Sequence, residues 1–92
     1  MPIIVRVPTP LQKYTSGAET VETTARNLRE LFERLDQQFP GFKQALSKAD
    51  GTPQQFLNIY VNDEDIRFLG GLQYTFQDGD EVLLLPAIAG GA

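Results

Sequence analysis

Residues 24–39 read Thr24-Ala-Arg-Asn-Leu-Arg-Glu-Leu-Phe-Glu-Arg-Leu-Asp-Gln-Gln-Phe39. Leu28, Leu31, Phe32, Leu35 and Phe39 fall at i, i+3, i+4, i+7 and i+11, which puts five apolar side chains in one stripe of a helix. The spacing predicts a helix over about 24–38, capped by Thr23 or Thr24. Opposite the stripe lie Arg26, Arg29, Glu30, Glu33 and Arg34, a solvated face on which Glu30 and Arg34 form an i,i+4 pair. Pro40-Gly41 ends the helix, and Phe42, Ala45 and Leu46 suggest one further turn before the loop Ala49-Asp50-Gly51-Thr52-Pro53.

On either side of this helix the apolar period shortens to two. Upstream, Ile3, Val5 and Val7 alternate with Ile4 and Arg6, and Arg6 phases the strand with its odd positions inward. Pro8 and Pro10 close it, residues 12–17 supply a turn, and Glu19-Thr20-Val21-Glu22 completes an N-terminal hairpin. Downstream, Leu57, Ile59 and Val61 form a half-buried strand that stops at Asn62-Asp63-Glu64. Asp65-Ile66-Arg67-Phe68 reads as a short partner strand, broken by Gly70-Gly71. Asp78-Gly79-Asp80 is a turn into the last strand, Glu81 to Pro86, with Val82 and Leu84 inward and Leu83 and Leu85 outward. Hairpin, helix and strands in that order call for an α+β fold, a mixed sheet packed on one main helix, with the first strand parallel to a later one.

The 92 residues make one domain, with 41% apolar and 22% charged side chains as in ordinary globular chains. There is no Cys and no His, which removes a thiol nucleophile, a His-based triad, a disulfide and a Cys/His zinc site. Net charge is -4. Residues 1–48 carry seven basic and five acidic side chains, and residues 49–92 carry only Arg67 against seven acids. Such a field disfavours nucleic acid and membrane surfaces and favours a basic protein partner. Without a signal-peptide core or a membrane-spanning run, the expected location is cytoplasmic and the expected state a monomer when alone. Asp63, Glu64 and Asp65 are consecutive on a turn and do not converge on a cation, so no metal site is expected. Thr15 and Ser16 lack a base and are not nucleophiles.

The remaining feature is the end of the chain, Ala87-Ile-Ala-Gly-Gly-Ala92. Gly90 and Gly91 have no Cβ to block a narrow channel, and a glycine carboxylate is the least hindered acyl group a protein offers. From Pro86 to Gly91 the chain can reach roughly 17 Å at about 3.3–3.6 Å per residue. The chemistry this suggests is adenylation of a terminal carboxylate by a nucleotide-using partner, followed by attack of sulfide or an amine. The alternative is a frayed terminus.

Asn58-Ile-Tyr-Val-Asn-Asp-Glu-Asp-Ile-Arg-Phe68, Gly70-Gly71-Leu72, Asp78-Gly79-Asp80 and Leu85-Pro86-Ala87-Ile88-Ala89-Gly90-Gly91 together resemble the sulfur carriers of the MoaD/ThiS family. The resemblance spans nearly the whole chain and is specific from Asn58 onward. It implies a ubiquitin-like β-grasp domain at 1–86 with a flexible Gly-Gly tail at 87–92, acting as a protein co-substrate and not as an enzyme. Gly91 would be adenylated by a MoeB-like enzyme using ATP, with no cofactor bound to the carrier, and converted to a thiocarboxylate. The sulfur would then pass to a PLP-dependent cysteine synthase in cysteine biosynthesis, and a JAMM-type metalloprotease would act on the carrier. Alternatives within reach of the same tail are the small subunit of molybdopterin synthase, a thiazole sulfur carrier, or a ubiquitin-like modifier that joins lysines. One departure is Ala92, which follows the glycine that should carry the free carboxylate; cleavage between Gly91 and Ala92 would restore the acyl end.

Ile4, Tyr60, Leu83 and Leu85 share the outer sheet face in this phase, and with Gly90 and Ile88 they are the expected partner-binding residues. A covering of the patch by the loop at 9–17 is the competing reading.

Overall fold

The computed structural model describes residues 2–86. Its elements are β1 (Pro2–Arg6), a 3₁₀ turn (Thr9–Tyr14), β2 (Thr20–Thr24), α1 (Leu28–Gln38), α2 (Phe42–Leu46), β3 (Leu57–Val61), β4 (Glu64–Asp65), two 3₁₀ turns (Ile66–Leu69 and Gly71–Gln73) and β5 (Glu81–Pro86). The five strands form one mixed sheet in the order β2-β1-β5-β3-β4. β1 pairs antiparallel with β2 and parallel with β5, with Ile4 opposite Glu81, Val5 opposite Val82 and Arg6 opposite Leu83. This is the expected β-grasp arrangement, and the expected hairpin is present.

The strand phases are those of the alternation. Ile3, Val5 and Val7, then Leu57, Ile59 and Val61, then Val82 and Leu84 are all buried, and they meet Leu28, Leu31, Phe32 and Leu35 of α1. Each such side chain contributes roughly 1.5–3 kcal/mol by leaving water. Phe42 and Leu46 of α2 close one end of this core and Phe76 joins it from the segment before β5.

Three local expectations are corrected. The helix begins at Leu28 and its cap is Asn27, whose Oδ1 accepts from the Glu30 N–H at 3.0 Å. Thr23 and Thr24 are instead spent in β2, opposite Ile3 and Pro2. Glu30 does not pair forward with Arg34: its carboxylate turns back to accept from the Arg26 N–H at 2.7 Å, a reciprocal arrangement close to a capping box, with the Arg26 guanidinium 3.6 Å away. Finally, residues 65–68 are not a strand. β4 is only Glu64–Asp65, and the Asp65 carboxylate accepts from the Arg67 N–H at 2.9 Å, winding Ile66–Leu69 into a 3₁₀ turn.

The loop at 9–17 packs on the core side of the sheet. Leu11 is buried, Tyr14 stacks on Phe42 with ring centroids 5.4 Å apart, and the buried Thr15 hydroxyl donates to the Ala18 carbonyl at 2.9 Å. It does not roof the outer face.

Candidate functional site

β5 is the inner strand that carries the site. Its neighbours on both sides fix which way each residue points, and a one-residue slip would exchange the buried and outward sets. Tyr60 lies opposite Leu83 and Asn58 opposite Leu85 across β3, while Arg6 of β1 lies beside Leu83. Ile4, Tyr60 and Leu83 are half-buried and Leu85 is 40% exposed. The structure therefore brings four expected partner-binding residues, Ile4, Tyr60, Leu83 and Leu85, onto one outer face with no layer above it among the described residues. A sheet face that is partly apolar and open is a surface suited to a protein partner. The Arg6 Nε donates to Glu81 Oε1 at 3.0 Å along its edge.

At the start of β5 a polar latch fixes the strand. Asp80 is 5% exposed. Its carboxylate accepts from Asn62 Nδ2 at 2.8 Å, the Tyr74 hydroxyl at 2.8 Å and the Gln77 N–H at 2.9 Å. Asn62 completes the link by accepting from the Glu81 N–H at 3.0 Å. Burial alone would raise the Asp80 pKa, but the three donated hydrogen bonds hold it below the ordinary carboxylate range. Burial and the adjacent Asp80 carboxylate push the Tyr74 hydroxyl up to about 12. The turn is also sewn to β1, since Gly79 N–H donates to the Pro2 carbonyl at 2.8 Å and Ile4 N–H to the Asp80 carbonyl at 2.9 Å. Gly79 has a φ of +85°, which glycine adopts without strain.

Asp80 thus does more than build the turn, and Asn62 and Tyr74 are partners that sequence reading missed. Asp78 stays exposed. Asp63 sits at φ +72° beside Asn62 at φ +51°, the two-residue hairpin turn between β3 and β4. Asp65 is occupied by Arg67 through both carboxylate oxygens. Among the described residues no group of three or more carboxylates could hold a metal ion, and no helix is long and apolar enough to cross a membrane.

β5 runs from the latch at Glu81 to Pro86, which pairs with Leu57. Pro86 is the last described residue, so Ile88, Gly90, Gly91, Ala92 and the expected tail at 87–92 lie outside the described residues.

Replacing Leu83 by Asp puts a charge at the centre of the outer face without touching the buried set. The fold is expected to survive by circular dichroism, and affinity for an activating partner to fall about tenfold or more, the usual loss at an interface anchor. Unfolding of the variant would show that Leu83 belongs to the core.

The model of the ThiS family matches residues 5–91. The chain is 40% identical to the sulfur carrier protein CysO of Mycobacterium tuberculosis, over 99% of this chain and 100% of that one. Among solved structures it superposes with a TM-score of 0.88 on a chain of the Amycolatopsis orientalis BexX/CysO complex, at 39% identity and 97% and 99% coverage. The crystal structure of Mycobacterium tuberculosis CysO gives a TM-score of 0.85 at 38% identity, covering 94% of this chain and 99% of that one.

Proposed function

This chain belongs to the ThiS family, and from that membership we propose that it is a sulfur carrier whose reacting atom is the carbonyl carbon of Gly91. The observation that carries the reading is likeness to CysO over essentially the whole chain, with the same fold. The outer face around Leu83 and Leu85 supports it, because the strand that displays those anchors leads directly into the six residues that hold the Gly-Gly pair.

In this reading an adenylating partner of the MoeB kind docks on that face. The Gly91 carboxylate attacks the α-phosphorus of ATP, pyrophosphate leaves, and an acyl adenylate forms. Sulfide then attacks the carbonyl carbon and AMP departs with the bonding pair, leaving a thiocarboxylate. The carrier contributes a rigid body, a docking surface and an unhindered acyl group; the nucleotide is the partner's substrate. By the resemblance to CysO, the sulfur serves cysteine formation on a PLP-dependent synthase, and a JAMM-type protease acts on the carrier. Ala92 must leave first, since an amide at Gly91 has no carboxylate oxygen to adenylate.

Intact mass tests this. In cells that hold the cognate adenylating enzyme and protease, the chain loses one alanine and then exchanges one oxygen for sulfur. A full-length, unmodified chain in those cells overturns the reading, and a ladder of lysine conjugates on a denaturing gel replaces it with a protein modifier.

A further inference from the structure

β5 is held on alternate sides. Ile4 N–H donates to the Asp80 carbonyl at 2.9 Å, and with Arg6 opposite Leu83 the parallel ladder to β1 takes its bonds at the even positions, Val82 and Leu84. Asn62 N–H donates to the Glu81 carbonyl at 2.9 Å, so the antiparallel ladder to β3 takes the odd positions and ends with Leu85 opposite Asn58. Position 86 is therefore due to bond to β1, and there two donors are missing. Val7 N–H donates to the Glu19 carbonyl at 2.8 Å, which turns Pro8 toward β5. Yet Pro8 has no N–H for the Leu84 carbonyl, and Pro86 has none for the Pro8 carbonyl. The backbone is otherwise ready for pairing, since Pro8 is extended at φ -70° and ψ 161°. Its carbonyl accepts from the Leu11 N–H at 2.9 Å instead. On the other side β3 starts only at Leu57, whose N–H donates to the Gln54 carbonyl at 3.0 Å, so the chain before it is spent in a turn.

We propose that Pro8 and Pro86 are positioning residues for the reaction at Gly91: as a pair of absent donors they end the clasp on β5 at Leu85 and keep one more residue of chain for delivery to the partner. The inference rests on the sulfur-carrier reading. Six residues, 86 to 91, separate the last clasped residue from the reacting glycine and include it. A bond at position 86 would leave five, 87 to 91, and the reach of the acyl carbon would shrink by about 3.3–3.6 Å. Misplacement by about 1 Å is already enough to slow a reaction that depends on near-attack geometry. To recover the reach, the partner would first have to open the added bonds. Prolines at both facing positions remove that step, and neither does so alone, because each supplies a donor to a different carbonyl once replaced.

The test compares the chain ending at Gly91, the reactive form in that reading, with its Pro8→Ala/Pro86→Ala variant. Hydrogen exchange followed by NMR is expected to show slowed amides at positions 8 and 86. With the adenylating enzyme, ATP and sulfide, single-turnover thiocarboxylate formation at saturating enzyme is expected to fall about tenfold, the scale of one or two ladder bonds that must open first. The half-saturating enzyme concentration is expected to stay where it was, because the outer face is untouched. One alanine inserted after position 86 of the variant returns the lost reach and is expected to restore the rate, whereas a merely structural defect would not respond to added length. Pro86→Ala alone, which supplies a single donor, is expected to act in the same direction with a smaller loss, and it carries the test if the double variant does not fold. Freely exchanging amides at the replaced positions, an unchanged rate, or a loss that the insertion leaves in place overturns the proposal. If the parent itself takes up no sulfur, the carrier reading falls and this inference with it; sulfur in the parent with an equal rate in the variants removes this inference alone.

Discussion

Deleting residues 90–92 is expected to abolish thiocarboxylate formation while leaving the melting temperature where it was. The buried set ends at Leu84 and the last ladder pair is Pro86 with Leu57, so the deletion removes no described contact. It removes the Gly91 acyl group and leaves a terminal carboxylate on Ala89 that ends two residues short and carries a Cβ beside the reacting carbon, and no side chain can substitute, since the chain has neither Cys nor His to carry sulfur or activate a nucleophile. Mass spectrometry after incubation with the adenylating enzyme, ATP and sulfide reads the result. Sulfur incorporation in the truncated chain would sink the assignment of Gly91. A second variant, ending at Gly91, is expected to react without any protease, which separates the trimming step from the acyl chemistry.

Asp80→Ala is expected to cost about 2–4 kcal/mol, read from denaturant unfolding. It strips the acceptor from three donors, Asn62, Tyr74 and the Gln77 N–H, and leaving partly buried donors unmatched costs roughly 1–3 kcal/mol for such a group. The acid dependence follows from the lowered pKa. The folded state binds the Asp80 proton less readily than the unfolded chain, so the contribution is complete above the unfolded pKa of about 3.9 and is lost as pH falls through the folded value. Tyr74 behaves oppositely. Its pKa is raised to about 12, so its contribution is complete below about pH 10 and fades as pH climbs through the folded value. In Asp80→Ala the tyrosinate titration should move only part of the way back, because burial is the larger cause and persists. A variant as stable as the parent would show that the latch is ornamental.

Much of this architecture was legible because it is written in local periods. Five apolar residues at helical spacing and three alternating strands fixed which side chains face the core, and the outward phase of Leu83 and Leu85 followed from the exposed position of Glu81. What failed had competing local signals. Asp65-Ile66-Arg67-Phe68 alternates like a strand, yet Ile66 is buried while Phe68 is 80% exposed, and the Asp65 side chain bonding to the Arg67 backbone decides for a turn. Thr23 and Thr24 are good caps, but β2 claimed them and the cap fell to Asn27. The Asp80 latch was illegible for another reason: Asn62 is eighteen positions away in sequence, and only the β3–β5 register brings it near. The outer face around Leu83 is likewise a property of three strands together, so residue types alone could place its members on a face but not next to one another.

The parallel pairing of β1 with β5 has a mechanical meaning. A partner that draws the chain in beyond Pro86 pulls along β5, which is clasped lengthwise by β1 on one side and β3 on the other. Load in that direction strains many ladder bonds at once, in shear, where a pull across the sheet would unzip them singly. A load applied at Pro86 along the strand would therefore be shared by both ladders, and the body would be expected to keep its fold under it.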